Sequence, residues 1–145
     1  APCTYPRTRF VPGARRGIFV GKETVLDAVQ RRDRHLVHAL SPALFSGRVV
    51  GYGRPGRISG SVNVPAVDLL DPATQAFLPL PALRQRFEAQ GLLDGRGAIA
   101  YCGGGISATT DAFALQLLGQ DDVRIYDASM NEWGPDASLP MERDA

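Results

Sequence analysis

Short apolar runs alternate with amphipathic segments along most of this chain. The apolar runs predict strands at residues 18–20, 36–40, 62–65, 98–101 and 123–126. Apolar residues spaced three and four apart predict helices over 22–32, 81–90 and 107–118, and Ser41 is the expected N-cap of a further short helix. Because strands and helices follow one another in turn, the pattern predicts an α/β domain with a central parallel sheet and helices on both faces.

The predicted helix at 107–118 allows two further expectations. Phe113, Leu117 and Leu118 should lie on its inward face. Ser107 should be its N-cap, since a serine side chain can accept a hydrogen bond from the free N–H groups of the first turn.

The chain of 145 residues is long enough for one hydrophobic core and short for two. Its first 17 residues are rich in proline, glycine and arginine, which predicts an extended leader or linker before a single domain over 18–145. Residues 46–61 contain five glycines and one proline and predict a long loop. Ordered loops of that length inside a compact domain are usually functional.

The composition excludes several classes of protein. Apolar residues make up 44% and charged residues 21% of the chain, as in ordinary globular proteins. No run approaches the roughly 18 apolar residues of a membrane span, so no contact with a membrane is expected. The net charge of +1 supplies no basic excess for binding nucleic acid.

The cysteines and histidines narrow the chemistry further. Cys3 and Cys102 are too few for a disulfide framework, which favours a reducing, cytoplasmic location and at least one free thiol. His35 and His38 are the only histidines, and no cysteines and histidines have the spacing of metal ligands, so no metal is expected.

One segment combines a strand end, a cysteine, a glycine cluster and a helix start. In parallel α/β sheets, binding sites form beyond the carboxyl ends of the strands. Consecutive glycines let the backbone curl so that several N–H groups point at one centre, and the helix N-terminus adds a partial positive charge. Both features favour a thiolate and could hold an anion, and the serine hydroxyl could donate to bound sulfur. The segment is Cys102, Gly103, Gly104, Gly105, Ile106 and Ser107.

Other interpretations of this segment are weaker. A free cysteine is commonly a small buried apolar residue, and adjacent glycines can simply form a tight turn. A phosphate-binding loop would carry a lysine after the last glycine, and a dinucleotide-binding loop would space its glycines as G-x-G-x-x-G. Neither pattern is present, and the contiguous order of the segment favours a nucleophilic role for Cys102.

Three segments in order resemble motifs of the rhodanese domain, specifically of the C-terminal, catalytic half of tandem-rhodanese sulfurtransferases. Residues 56–65, G-R-I-S-G-S-V-N-V-P, resemble the family's G-H-I-P-G-A-x-N-x-P stretch. Residues 101–108 resemble its active-site loop, and residues 126–133 resemble its closing Y-D-G-S-W-x-E-W motif. The resemblance covers roughly residues 22–140.

The resemblance implies a sulfurtransferase that works through a persulfide on Cys102. The thiolate would take sulfur from a small anionic donor, thiosulfate or 3-mercaptopyruvate, and the loop amides of residues 103–107 would hold it. A thiol or cyanide acceptor would then remove the sulfur. The resemblance implies no cofactor, and it suggests a preceding rhodanese-like domain in the native chain.

Beyond Arg57 and Ser59, which replace the family's usual histidine and proline, two departures from the family pattern bear on donor binding. An early strand of the family usually ends in D-A-R or D-S-R, whose arginine helps to hold the donor, whereas this chain has His38-Ala39-Leu40. We therefore expect other cations to bind the anion, and Arg48, Arg54 and Arg57 in the glycine-rich loop are the candidates. The family's mercaptopyruvate loops usually read C-G-S-G, and here Gly104 replaces the serine that would deliver a proton to the leaving enolate.

The sequence leaves two alternatives to sulfur transfer to weigh, a binding module and a phosphatase-like enzyme. The changes at His38 and Leu40 are also compatible with a rhodanese-like sulfur-binding or regulatory module that has little turnover. A phosphatase or arsenate reductase of the related fold would need the pattern C-x5-R, so that a guanidinium clamps the oxyanion. Ala108 occupies that arginine position, and the loop contains no arginine, which argues against such an enzyme.

Overall fold

The computed structural model describes residues 6–11, 13 and 17–144. Of the predicted leader, residues 6–11 are exposed and belong to no helix or strand, whereas Cys3 lies outside the described residues. Across the described ranges, no helix is both long and apolar enough to cross a bilayer.

The described chain alternates strands and helices, as its pattern predicts. Its elements are β1 (Phe19–Val20), α1 (Lys22–Arg31), β2 (Arg34–His38), α2 (Pro42–Phe45), β3 (Arg57–Ile58), β4 (Ser61–Asn63), a 3₁₀ turn (Ala66–Leu69), α3 (Leu80–Glu88), β5 (Gly97–Tyr101), α4 (Ile106–Leu117), β6 (Val123–Tyr126), α5 (Ser129–Trp133) and β7 (Met141–Glu142). Ser41 caps α2 as predicted, because its Oγ accepts a hydrogen bond from the Leu44 N–H at 3.4 Å.

Five strands form one parallel sheet in the order β1-β6-β5-β2-β4. This confirms the predicted α/β class and places β5 at the centre of the sheet. A second, two-stranded antiparallel sheet joins β3 to β7 and ties the glycine-rich loop to the C-terminal segment. The sequence pattern did not predict that pairing, since each of its strands has only two residues.

Helices cover both faces of the large sheet, because successive residues of a strand point to opposite sides. On one face, Leu36 and Ile99 pack with buried residues of α1 and α5, including Val25 and Trp133. On the other face, Val37, Ala98 and Ala100 pack with buried residues of α3 and α4, namely Leu83, Phe87, Ala108, Ala112, Ala114 and Leu115.

The inward face of α4 differs from the prediction. Phe113 is 49% and Leu117 is 44% exposed, and Phe113 stacks on Phe77 at the flank of the helix with ring centroids 5.2 Å apart. Small side chains, mainly alanines, face the sheet instead and let α4 lie close to β5 and β6. The error arose because α4 is apolar on several sides, so periodicity alone could not select the buried side. Leu118 does pack against the core, as expected.

The N-cap of α4 is also different from the predicted one. Gly105 occupies the cap position in a left-handed conformation, and no side chain in the described part of the chain caps this end. Ser107 lies inside the first turn of the helix, where it is half-buried.

Asp111 is a buried carboxylic acid on the inward face of α4. Among the described residues, neither of its oxygens has a hydrogen-bond partner. Burial raises the pKa of Asp111 well above its usual range, because an unpaired charge is costly in a low-dielectric interior. The folded chain therefore favours the protonated side chain.

We expect Asp111 to make folding stability fall as the pH rises. Its contribution is fully present below the unfolded-state pKa of about 4 and is lost as the pH climbs towards the raised folded-state pKa. Asp111→Asn removes the titration. Between pH 4 and pH 7, the wild type should therefore lose about 1 kcal/mol or more of unfolding free energy relative to this variant, measured by urea unfolding. Parallel pH profiles for the two proteins would contradict the prediction.

Candidate active site

Cys102 follows directly after the central strand β5 and precedes the helix α4. It carries a free thiol, and the residue is only 2% exposed. Its N–H donates a hydrogen bond to the Ser129 hydroxyl at 3.0 Å, so the backbone at the strand end is held by α5. The predicted nucleophile thus lies at the carboxyl edge of the sheet, where a parallel sheet places its sites.

The start of α5 fixes the first half of the cysteine loop. The Met130 N–H donates to the Cys102 carbonyl at 3.1 Å, and the Asn131 N–H donates to the Gly103 carbonyl at 2.9 Å. Ser129 adopts a positive φ of 52°, which costs a non-glycine residue free energy and is characteristic of functional sites. Both carbonyls are paired to α5. The loop can therefore offer an anion hydrogen-bond donors, namely the first N–H groups of α4, which have no partner inside the helix.

Two loop glycines are required by close contacts. A methyl group on the Cα of Gly103 would overlap the hydroxyl oxygen of Tyr52. A methyl group on Gly105 would overlap the carboxylate of Asp127, and Gly105 also has a φ of 86°, in the left-handed region that favours glycine. A phenol therefore lies against the loop at Gly103, and a carboxylate lies against it at Gly105. The other predicted loop residues, Gly104 and Ile106, are exposed.

His38 lies at the end of β2, opposite Tyr101 in the strand register. Its ring packs edge-on against Tyr101 and Phe45, with centroids 5.1 Å and 5.5 Å apart. Burial, followed by the nearby positive charge of Arg57, lowers the pKa of His38 to about 4. His38 is therefore neutral at physiological pH and supplies no cation for an anionic donor.

Arg54, one of the three candidate cations, binds the backbone of this domain. Its guanidinium donates to four backbone carbonyls between residues 133 and 139, at distances that include 2.8 Å to Gly134 and 3.0 Å to Leu139. These bonds occupy four of its five N–H donors. Arg54 therefore anchors the chain after α5, because a run of carbonyls outside regular secondary structure needs donors.

The other two candidate cations also have internal partners. Arg57 is paired with Glu142 at 3.1 Å and Asp144 at 2.8 Å, and its guanidinium lies 4.2 Å from the centre of the Phe45 ring. These carboxylates raise the pKa of Arg57 against the opposing effect of burial, so it stays charged but compensated. Arg48 is exposed and donates from Nε to the Ser46 hydroxyl at 3.3 Å. No contact within the described chain links any of the three arginines to the cysteine loop.

The residues that contact the loop are not among the predicted site residues. Tyr52 and Asp127 lie against its glycines, whereas Ser129 and Asn131 bind its backbone. The available signal was the aromatic residue between two glycines, Gly-Tyr-Gly, inside a loop already identified as functional. The resulting site offers backbone donors and a phenol, and the exposed carboxylate of Asp127 lies against Gly105.

A family profile, described as the rhodanese-like domain, matches residues 23–136. The chain belongs to this family. This rhodanese-like domain is 32% identical over 144 residues to thiosulfate/3-mercaptopyruvate sulfurtransferase 2 of Arabidopsis thaliana, covering 97% of this chain and 40% of that protein. It is 33% identical over 95 residues to the 3-mercaptopyruvate sulfurtransferase of Escherichia coli K12, covering 61% of this chain and 31% of that protein.

Solved structures show the same fold. The Tum1 protein of Saccharomyces cerevisiae is 26% identical with a TM-score of 0.74, and the match covers 87% of this chain and 47% of that one. Wild-type EanB is 22% identical with a TM-score of 0.79, covering 88% of this chain and 32% of that one, and this likeness concerns the fold alone. The rhodanese-like domain spans less than half the length of these relatives.

We expect Gly105→Ala to damage both the fold and the loop. Gly119 is a matched control, because it has a φ of 89° but open space around its Cα. Gly119→Ala should cost about 1 kcal/mol of unfolding free energy, from backbone strain alone. Gly105→Ala should cost more, since its methyl group also displaces Asp127, and urea unfolding measures the difference. Equal losses would show that the contact with Asp127 has no energetic weight.

Proposed function

We propose that this domain is a sulfurtransferase that moves sulfur from thiosulfate or 3-mercaptopyruvate to cyanide or a thiol through a persulfide on Cys102. The observation that carries the proposal is the free thiol of Cys102 between the carboxyl end of β5 and the first turn of α4. Family membership and the sulfurtransferases among its relatives support the same reaction class.

The proposed reaction has two half-reactions. With thiosulfate, the Cys102 thiolate attacks the outer sulfur, a new S–S bond forms, the donor's S–S bond breaks, and sulfite leaves with the electron pair. An acceptor such as cyanide then attacks the outer sulfur of the persulfide and regenerates the thiolate. No external oxidant or reductant takes part, and the loop N–H groups would stabilise the negative charge on sulfur throughout.

Several features of the native context belong to the same proposal. A preceding rhodanese-like domain would account for the greater length of the relatives, of which the matches cover 40% and 31%. A cytoplasmic location would keep Cys102 reduced between turnovers.

The second candidate function is a sulfur-binding or regulatory module, which would store or sense sulfur with little turnover. The neutral His38 and the apolar Leu40 favour it, because neither can hold an anionic donor at the end of β2. Steady-state kinetics with both donors separate the two candidates, since a sensor would form the persulfide yet release it slowly.

Cys102→Ser should abolish both persulfide formation and turnover. Turnover should fall by more than a factor of about one hundred, because a serine hydroxyl stays protonated near neutral pH and cannot carry sulfane sulfur. Intact-mass measurement after incubation with donor should show an adduct of about 32 Da on the wild type and none on the variant. Cys3→Ser is the matched control and should keep both properties. Full activity of Cys102→Ser would refute the proposal.

We expect low turnover with both donors and a higher kcat/KM for mercaptopyruvate than for thiosulfate. Thiosulfate is a dianion, and each unit repulsion at 4 Å is about 4 kcal/mol at an effective dielectric constant of about 20. The loop after Cys102 has no arginine or lysine, Arg54 is committed to backbone carbonyls, and Asp127 adds a negative charge. Mercaptopyruvate places its single carboxylate away from the transferred sulfur. A higher kcat/KM for thiosulfate would show that this electrostatic argument is wrong.

A further inference from the structure

The hydroxyl of Tyr52 lies against the backbone next to the nucleophile. Tyr52 is half-buried and packs on the face of the core that contains Trp133. Its ring reaches across from the glycine-rich loop, so that the Tyr52 hydroxyl occupies the space that a side chain at residue 103 would fill. Gly103 thus makes room for a phenol directly beside Cys102.

The position of Tyr52 is determined by close packing of its backbone. A methyl group on Gly134 would overlap the Tyr52 carbonyl, and Gly53, with a φ of 81°, has the Pro135 nitrogen 3.0 Å from where its own side chain would begin. The Arg54 guanidinium then binds the same segment through its four carbonyl contacts. The chain that follows α5 therefore fixes the backbone that carries the Tyr52 phenol.

The Tyr52 hydroxyl also differs from those of the other described tyrosines. Tyr101 donates to Ser61 at 2.8 Å, and Tyr126 donates to Glu132. Within the described residues, the Tyr52 hydroxyl makes no hydrogen bond, although it is the phenol beside the cysteine loop. A fixed hydroxyl without an internal partner can donate to a bound substrate.

We propose that Tyr52 protonates the enolate that leaves when 3-mercaptopyruvate is the sulfur donor, a role that rests on the proposed function of Cys102. The thiolate attacks the donor sulfur, the S–S bond forms, and the C–S bond breaks with its electron pair going to carbon. Tyr52 gives its proton to that carbon, and pyruvate results. The phenolate then takes the proton that the donor thiol brought, which leaves a persulfide anion on Cys102 and a neutral Tyr52.

The proposed proton transfer is needed with mercaptopyruvate but not with thiosulfate. Carbon is a poor leaving atom and its enolate needs a proton, whereas sulfite departs from thiosulfate as a stable anion. The loop itself offers no hydroxyl at Gly104 for this task. Tyr52 therefore supplies from the glycine-rich loop what the cysteine loop lacks.

Tyr52→Phe tests the proposal, because it keeps the ring and removes only the oxygen. We expect the ratio of kcat/KM for mercaptopyruvate to kcat/KM for thiosulfate to fall about 100-fold, at the low end of general acid catalysis. Tyr126→Phe is the matched control, since it removes a phenol oxygen that is bonded to Glu132, and it should leave the ratio at the wild-type value. Urea unfolding of Tyr52→Phe checks that the fold is intact.

Each outcome separates the role of Tyr52 from the role of Cys102. A ratio that stays at the wild-type value in Tyr52→Phe, or an equal loss with both donors, would overturn the proton transfer while the persulfide on Cys102, measured by mass after thiosulfate, still stands. Absence of that persulfide in the wild type would overturn the proposed function and the role of Tyr52 with it. If Tyr52→Phe unfolds, Tyr52→His supplies a hydrogen-bond donor on a smaller ring, and recovery of the ratio to within tenfold of the wild type is expected. A ratio about 100-fold below the wild-type value in Tyr52→His would overturn the proposal.

Discussion

The pairing of the cysteine loop with the start of α5 is the constraint on which the site depends. Two α5 N–H groups bind the carbonyls of Cys102 and Gly103, and the Ser129 hydroxyl accepts the Cys102 N–H. The carbonyls of Cys102 and Gly103 are thereby paired to α5, and the first N–H groups of α4 have no partner inside the helix. The positive φ of Ser129 is the local conformational cost of that arrangement.

The chain after α5 also binds the glycine-rich loop and so links that loop to the cysteine site. Arg54 binds four of its carbonyls, and the β3–β7 pair closes the same region at its far end. As a result, the glycine-rich loop approaches Gly103 through the ring of Tyr52 rather than through a cation. Arg54 is occupied by backbone carbonyls, and Arg57 is paired with two carboxylates. Both arginines therefore hold the structure together and add little net positive charge to the site.

The small positive charge of the site affects which anions could bind beside Cys102. A thiolate held mainly by backbone dipoles tolerates one nearby negative charge better than two, since amide dipoles compensate charge only over short distances. The neutral His38 and the carboxylate of Asp127 act in the same direction. In the proposed reaction, the side chains that would distinguish the donors, Tyr52 and Asp127, lie outside the cysteine loop.

Much of the fold and the position of Cys102 could be predicted from the sequence, because both depend on contiguous residues. Apolar runs become buried strands, and a nucleophile after a strand must lie at the carboxyl edge of a parallel sheet. The tertiary structure decided which side of α4 is buried, placing Asp111 inside and Phe113 at the flank. It also decided the partners of Arg54, which lie 79 to 85 residues away, and the contact of Tyr52 with Gly103. Such contacts join distant segments whose meeting depends on how the whole chain packs, and no local pattern encodes them.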